Sequence, residues 1–501
     1  MPREKARHKA NLTLQCIYEY GRQNGMKLRT SVIALCAALL TAVMPVQAQQ
    51  EQAPAPSPLL ELMQKYTSSD LTNHIKEGFD VNMKDPEGNT PLLLAAVAQR
   101  SDLMYVLLEN GADPNYVKDP GITALGIACM YDDWAMIDLL ITHGANANYS
   151  APNGESTLSM ACAQGAVNAV QMLLTAKAET DTRDANGVTP LLHSIMHNTE
   201  NTISIARMIL EKGGNPNLGM PNGFTPLMGA VQMNDLDVAL LLLEHGADVN
   251  ARQQNNGPSA LSVAVALGHE EMVALLLANK ADINVGVNAH TSLIAYACML
   301  ARADVMEHLI QYGAPVDTRD SRSNVTPLHV TATGNALIKD SLKLMGAGKL
   351  IPQHEKFMDA AEACNVLISN GADVNAKDAD GTTPVMIASM DGCPETLQVL
   401  INSGADINAA DAAGRTPLIL AVLPAAKKAE ISLAHVSPAA ASQVKPLVVQ
   451  SMGLYPNVKE TVKILLKAGA DINAKDNAGK TARDYATDPE IIRLLDEAAA
   501  Q

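Results

Sequence analysis

A short motif that begins with Thr or Ser returns along the chain at intervals of about 33 residues. Thr90-Pro91-Leu92 is followed 33 residues later by Thr123-Ala124-Leu125. Further copies begin at Ser156, Thr189, Thr225, Ser259, Ser292, Thr326, Thr383, Thr416 and Thr481. A period of this length predicts a stack of small units that share one core, because a single unit is too small to bury its own apolar side chains.

The residues of one unit predict two short helices joined by a turn. Thr90 suits a helix N-cap, and Pro91 suits the first helical position, where no amide hydrogen is needed. A second helix is predicted over about 103–109, ended by Gly111, which readily adopts a left-handed conformation. Asp85-Pro86-Glu87-Gly88 predicts the tight turn that connects one unit with the next.

A second motif keeps step with the first. Leu107-Leu108-Glu109-Asn110-Gly111-Ala112-Asp113-Pro114-Asn115 recurs at 242–250 and at 465–473 with few changes. Together the two motifs resemble the ankyrin repeat over nearly all of the chain from about residue 59. The resemblance implies an all-α ankyrin-repeat solenoid of about eleven helix-turn-helix units with β-turn fingers.

Two units are interrupted after their first helix, at about 335–357 and 424–457. The repeat resumes in register after each insertion, so we expect both to be dispensable for folding. Insertions of this kind usually map to one face of the array, which is often a functional one. The alternative, that they are tolerated neutral loops, is equally compatible with the sequence.

The N-terminus carries the features of an export signal. A basic segment from Met26 to Ser31 precedes an apolar run over 32–44, and Pro45-Val46-Gln47-Ala48 supplies small residues for cleavage. We expect 1–48 to be a signal peptide, 49–58 a linker and 59–501 the repeat array. Residues 1–25 are either an extended signal or the result of a start codon placed too early, and we favour a start at Met26. The mature chain is then expected in the periplasm or outside the cell, without membrane insertion.

Charge and motif content argue against two classes of function. The formal net charge is −16, and we find no basic run after the predicted signal peptide. Such a chain repels phosphate backbones, so nucleic acid is not an expected partner. No catalytic, cofactor-binding or metal-binding motif has the required spacing, so we expect no enzyme activity, no cofactor and no metal.

Three cysteines share one position of the repeat. Cys129, Cys162 and Cys298 are each the sixth residue after the Thr or Ser of their unit. Equivalent atoms of neighbouring units are about 10 Å apart at helix-packing distances, whereas a disulfide needs Cα atoms within about 7 Å. We therefore predict that these three are buried packing residues, not bonded to one another. The sequence leaves Cys364 and Cys393 undecided.

The ends of the first helices supply the candidate binding surface. In ankyrin-type units, residues seven and eight after the Thr usually face the concave groove, so the resemblance implies a methionine-rich stripe there. We call this predicted partner-binding surface the helix-end stripe; it comprises the helix-end residues Met130, Tyr131, Met196, His197, Met233, Leu267, Met299 and Leu300, and the finger-tip residue Phe224 beside them. An exposed methionine-rich surface adapts to an apolar peptide or helix. The alternative is that these side chains are half-buried and belong to the packing between helices.

The resemblance implies a non-catalytic scaffold that binds a partner protein through its concave face. We expect a monomer in the cell envelope or secreted. One alternative is a secreted effector that binds host proteins through the same surface, which cell fractionation would distinguish. The other is an enzyme that uses the two insertions, which the sequence disfavours because they lack clusters of His, Asp and Ser.

Overall fold

The computed structural model describes residues 58–286, 291–299, 302–321, 323–333, 360–424, 427–428 and 457–500. Within these ranges every regular element is a helix. The β-type pairing in the same ranges consists of three isolated bridges at turns, and no strand is formed there. The chain divides between Gly214 and Asn215 into an N-terminal and a C-terminal part, and each is described by itself. The predicted signal peptide, the predicted linker up to residue 57, the insertion at 335–357, most of the insertion at 424–457 and Leu300 lie outside the described residues.

The N-terminal part contains five successive helix pairs. We name each repeat by the Thr or Ser that begins it, so that the first pair precedes the Thr90 repeat. The helices are α1 (Pro58–Lys65), α2 (Ser68–Lys76), α3 (Pro91–Val97), α4 (Ser101–Glu109), α5 (Ala124–Met130), α6 (Trp134–Thr142), α7 (Thr157–Gln164), α8 (Val167–Thr175), α9 (Pro190–His197) and α10 (Thr202–Glu211). First helices pack against first helices of neighbouring repeats, and second helices against second helices.

The C-terminal part continues the same alternation through both insertions. Its helices are α11 (Pro226–Met233), α12 (Leu236–Glu244), α13 (Ala260–Leu267), α14 (Glu270–Ala278), α15 (Leu293–Met299), α16 (Ala303–Gln311), α17 (Pro327–Ala332), α18 (Ala360–Ser369), α19 (Pro384–Asp391), α20 (Pro394–Asn402), α21 (Pro417–Val422), α22 (Val458–Lys467), α23 (Ala482–Tyr485) and α24 (Pro489–Ala499). The predicted all-helical repeat architecture is confirmed.

The repeating Thr or Ser begins the first helix as the sequence predicts. Thr90 Oγ1 accepts a hydrogen bond of 3.3 Å from the amide of Leu93, and Pro91 occupies the first helical position. This bond satisfies an amide that the helix leaves without an internal partner. The fingers form the predicted tight turns: the Gly88 amide donates to the Asp85 carbonyl at 2.9 Å, with Gly88 at φ +79°.

A ladder of asparagine side chains fixes the spacing of the repeats. Asn115 Nδ2 donates to the Gly144 carbonyl of the next repeat at 2.9 Å, and its Oδ1 accepts from the Asn146 amide at 2.7 Å. Asn82 makes the same pair of bonds one repeat earlier, to Gly111 and Asp113. Each rung satisfies main-chain groups at the turn after a second helix, so the rungs hold neighbouring repeats in register.

The ladder bridges both insertions. Asp317 Oδ1 accepts from the Asp373 amide at 3.0 Å, and Asn408 Oδ1 accepts from the Asp471 amide at 2.8 Å. His329 adds a second link across the first insertion, because its Nε2 donates to the Thr382 carbonyl at 3.0 Å. The repeats on either side of each insertion therefore stack directly on one another.

The core consists of small and aliphatic side chains. Fully buried positions include Leu92, Ala96, Leu103 and Leu107 of the Thr90 repeat. Small residues on the first helices allow neighbouring helices to approach closely, which suits a chain with only 3% aromatic residues. None of the described helices is both long enough and apolar enough to span a bilayer.

Candidate functional site

The described members of the predicted helix-end stripe lie where the first helices end, except Phe224, which directly precedes Thr225, the N-cap of α11. Met130 is the last residue of α5, His197 of α9, Met233 of α11, Leu267 of α13 and Met299 of α15. Three of these ends have left-handed caps, at Asn198 (φ 42°), Asn234 (φ 53°) and Gly268 (φ +73°), whereas Tyr131 at the end of α5 is right-handed (φ −86°).

The described stripe residues divide into exposed and half-buried ones. Met130 and Met299 are 37% and 39% exposed, well above the core methionines. The other described members of the stripe are half-buried: Tyr131, Met196, His197, Phe224, Met233 and Leu267. Partial burial is compatible with both a binding surface and interhelical packing, so the assignment of these residues stays a prediction.

Two histidines on α9 are held within the helix. His197 Nδ1 donates to the His193 carbonyl at 2.9 Å, and the two rings stack with centroids 5.9 Å apart. Burial lowers the pKa of His197, although its bond to the His193 carbonyl opposes this effect. The neutral ring therefore contributes to the stripe as a flat, weakly polar surface at neutral pH.

In one repeat, the two positions that correspond to the stripe are buried beneath another segment of the chain. In the Thr383 repeat the two equivalent residues are Met390, 7% exposed, and Asp391, 1% exposed. The Lys428 ammonium donates to the Met390 carbonyl at 2.7 Å and to the Ala421 carbonyl at 2.9 Å. Leu423 joins Met390 in one buried apolar cluster. Residues after α21 thus lie over the end of α19.

Asp391 and Lys428 are both buried, and burial shifts their pKa values in opposite directions. Burial raises the pKa of Asp391 to about 7, and the nearby Lys428 opposes that shift. Burial lowers the pKa of Lys428 to about 8, opposed by Asp391. Within the described residues, Asp391 Oδ1 has no hydrogen-bond partner, which explains why the ionised form is costly.

Sequence reasoning missed this pair and one exposed aromatic residue. Asp391 and Lys428 are 37 positions apart, and Lys428 falls within the predicted insertion, so no local pattern connects them. The sequence did contain a sign that Asp391 is unusual, because the other repeats have apolar or neutral polar residues at the equivalent position. Trp134, the only tryptophan, is 63% exposed at the start of α6, four residues after Met130.

The thiols behave as the shared repeat position predicts. Cys129, Cys162 and Cys298 are buried and form no disulfide, which confirms the prediction. Burial raises the pKa of Cys129 to about 12 and also raises those of Cys162 and Cys298, so none is a reactive thiolate. Among the residues that the structure describes, no group of three or more His, Cys, Asp and Glu is placed to hold a metal ion.

Family comparison agrees with this architecture. Segments 60–151, 94–184, 158–253, 201–287 and 356–430 match the family model "Ankyrin repeats (3 copies)", and together they cover more than half of the chain. The chain therefore belongs to the ankyrin-repeat family. Domains of this family are generally scaffolds for protein–protein interaction and are typically non-catalytic.

Individual relatives share short stretches with the chain. It is 26% identical over 205 residues, 38% of its length, to an ankyrin repeat and KH domain-containing protein of Caenorhabditis briggsae. It is 32% identical over 141 residues, 27% of its length, to an ankyrin repeat protein of fowlpox virus. These matches span 8% and 41% of the two relatives. The human ASB11 ankyrin repeat domain is 19% identical, with half of this chain and 99% of that one covered and a TM-score of 0.39.

Proposed function

We propose that the chain is a non-catalytic scaffold of the cell envelope, or a secreted one, that binds a partner protein through the helix-end stripe. The observation that carries the proposal is the exposure of Met130 and Met299 at a repeat position whose counterpart Met390 is buried. A solvent-exposed methionine at a recurring position offers apolar, adaptable contact area. Family membership supports protein binding in general, and the N-terminal segment supports export.

Aromatic residues strengthen the case in the Thr123 repeat. Met130 and the half-buried Tyr131 precede the inter-helix turn, and Trp134 follows it. Trp and Tyr are enriched among the residues that dominate binding energy at protein interfaces. Trp134, at 63% exposed, is the most exposed of the large apolar side chains that the structure describes, and it follows the exposed Met130 by four residues. This repeat is the expected centre of the surface.

The test replaces the two exposed methionines together. The Met130→Glu and Met299→Glu double variant should lose capture of the partner in a pull-down from an envelope extract, identified by mass spectrometry. Its melting temperature should change little, because substitutions at exposed sites usually alter the free energy of unfolding by no more than about 0.5 kcal/mol. A carboxylate buried against an apolar partner surface loses its hydration without compensation, which weakens binding.

Two matched variants complete the design. Met390→Glu places the same charge at the same repeat position where the side chain is buried, and should cost about 3 kcal/mol or more of stability. Gln171→Glu adds an exposed acid on the second helix α8 and should leave capture intact. The proposal fails if the double variant still captures the partner, or if it is destabilised as strongly as Met390→Glu.

A further inference from the structure

The chain shows what chemistry covers the end of a first helix. The last carbonyls of a helix have no partner inside the helix, and the C-terminal end of the helix dipole favours a cation. Lys428 meets both conditions, since its ammonium joins the Met390 carbonyl near the end of α19 to the Ala421 carbonyl near the end of α21. Leu423, five residues earlier, supplies the apolar contact with Met390.

The end of α1 also carries a cation, because the Arg100 guanidinium donates to the Tyr66 carbonyl at 2.8 Å and to the Met63 and Gln64 carbonyls at 3.4 Å. Among the described residues, three equivalent carbonyls of the following repeats accept no hydrogen bond from a cation. They belong to Met130, Ala163 and Met196, each seven residues after the Thr or Ser of its repeat. Within the described residues, no side chain donates a hydrogen bond to these three carbonyls, whereas Lys428 donates to that of Met390. In the preceding repeat, Tyr131 Oη lies 3.5 Å from the Val97 carbonyl, a long contact.

We infer that the helix-end stripe of the N-terminal part recognises a partner segment that combines apolar residues with lysines, one lysine to each helix end. The inference rests on the proposed function and specifies the partner's chemistry. Charge complementarity supports it, because the chain has a formal net charge of −16 and attracts a cationic segment. The chain's own residues 423–428 are one internal example of this chemistry, and Arg100 at the end of α1 is another.

The spacing of the helices sets the spacing of the lysines. First helices of neighbouring repeats pack about 8–10 Å apart. A polyproline II segment has three residues per turn and rises about 3.1 Å per residue, so every third side chain returns to one face after about 9 Å. A lysine at every third residue therefore matches successive repeats.

The experiment measures fluorescence polarisation of labelled peptides with the full mature chain at 150 mM salt. The registered peptide is Lys-Pro-Leu repeated three times. One control peptide has the same composition with its three lysines adjacent, and another carries Nε-acetyl-lysine at all three positions. We expect the registered peptide to bind about 10-fold more tightly than either control, which corresponds to about 1.4 kcal/mol. Equal binding of all three peptides would overturn the inference.

Protein variants locate the site. Gln164 is exposed at the end of α7, next to Ala163. Gln164→Lys places a competing cation in the stripe and should weaken the registered peptide about 10-fold, while Gln164→Met, of similar length but uncharged, should not. If Gln164→Lys has no effect, the lysines bind elsewhere and the inference is wrong.

The two proposals fail in different ways. If lysine and acetyl-lysine peptides bind equally and both are lost in the Met130→Glu and Met299→Glu variant, the stripe is a binding surface without the inferred selectivity for lysine. If no peptide binds but the same variant still loses partner capture, the lysine inference alone is wrong. If neither peptide nor partner depends on the stripe, both proposals are wrong.

Discussion

At the residue scale, Asp391 and Lys428 form a buried pair of opposite charges at a repeat position where other repeats have an uncharged residue. Other repeats place Tyr131, Gln164 or His197 where the Thr383 repeat has Asp391, and none of those is an acid. A carboxylate at the end of a helix is disfavoured by the helix dipole and, here, by burial. Lys428 offsets part of this cost, because it brings a positive charge to the carbonyls at the ends of α19 and α21.

Asp391 should make stability fall as pH rises. Its pKa is raised from 3.8 to about 7, so between about pH 4 and pH 7 the unfolded chain loses a proton that the folded chain keeps. Asp391→Asn removes this linkage. Near pH 4 the variant should have the same free energy of unfolding as the wild type. Above pH 7 its free energy of unfolding should be higher by a few kcal/mol, since each unit of pKa shift corresponds to at most about 1.4 kcal/mol.

Urea unfolding followed by circular dichroism at pH 4, 6 and 8 measures this effect. Asp138→Asn, which neutralises an exposed carboxylate on α6, is the matched control and should show no such trend. An Asp391→Asn variant whose stability parallels the wild type across the whole range would show that Asp391 is not a buried, destabilising charge.

At the element scale, the insertions are additions to an uninterrupted stack. The rungs from Asp317 to Asp373 and from Asn408 to Asp471 join repeats as Asn115 joins its neighbours. The finger of the last repeat adds another bridge, since the Asn477 amide donates to the Ala413 carbonyl at 2.9 Å. The helices next to each insertion therefore derive their stability from the same interfaces as those of the uninterrupted repeats.

The second insertion should be removable only beyond Lys428. Replacing 429–456 with a short Gly-Ser linker should leave the helical circular dichroism and the cooperative melt of the other residues unchanged. Extending the deletion to begin at residue 425 also removes Lys427, whose ammonium lies 4.6 Å from the centroid of the Tyr485 ring, and both hydrogen bonds of Lys428. The longer deletion should cost about 2–3 kcal/mol more, because it also leaves Asp391 without its nearby cation.

Adding Asp391→Asn to the longer deletion should restore part of the lost stability, which ties the loss to this charge pair. Identical melts for the two deletions would instead mean that residues 425–428 contribute nothing to the fold. Loss of helicity in the shorter deletion would show that the flanking repeats depend on the insertion.

At the scale of the whole molecule, the N-terminal segment predicts where the chain acts. This segment comprises residues 26–48, which precede the first repeat. Residues 26–48 have the basic, apolar and small-residue segments of a secretory signal, and the following 49–57 are rich in Gln, Ala and Pro. A binding scaffold that is exported meets its partner outside the cytoplasm.

N-terminal sequencing of the chain recovered from the envelope or medium should begin near Gln49. Fractionation into cytosol, periplasm and medium then separates an envelope scaffold from a secreted effector. Arg29→Glu with Lys27→Glu removes the positive charge before the apolar run and should retain an unprocessed precursor in the cytosol. Recovery of the uncleaved wild-type chain in the cytosol would contradict the predicted export.

The sequence by itself determined the class of fold and the bounds of most first helices. Thr at the N-cap, Pro at the first helical position and Gly after the second helix act within a few residues of one another, so local chemistry decides them. The period of about 33 residues then required stacking, and the thiol assignment followed from that period alone.

Tertiary structure decided which repeated positions are open. Met130 and Met390 occupy the same place in their repeats, yet one is 37% exposed and the other 7%. The difference arises from Lys428 and Leu423, which reach Met390 across more than thirty residues of chain. Burial is a property of what packs against a side chain, and contacts between distant segments leave no periodic trace in the sequence.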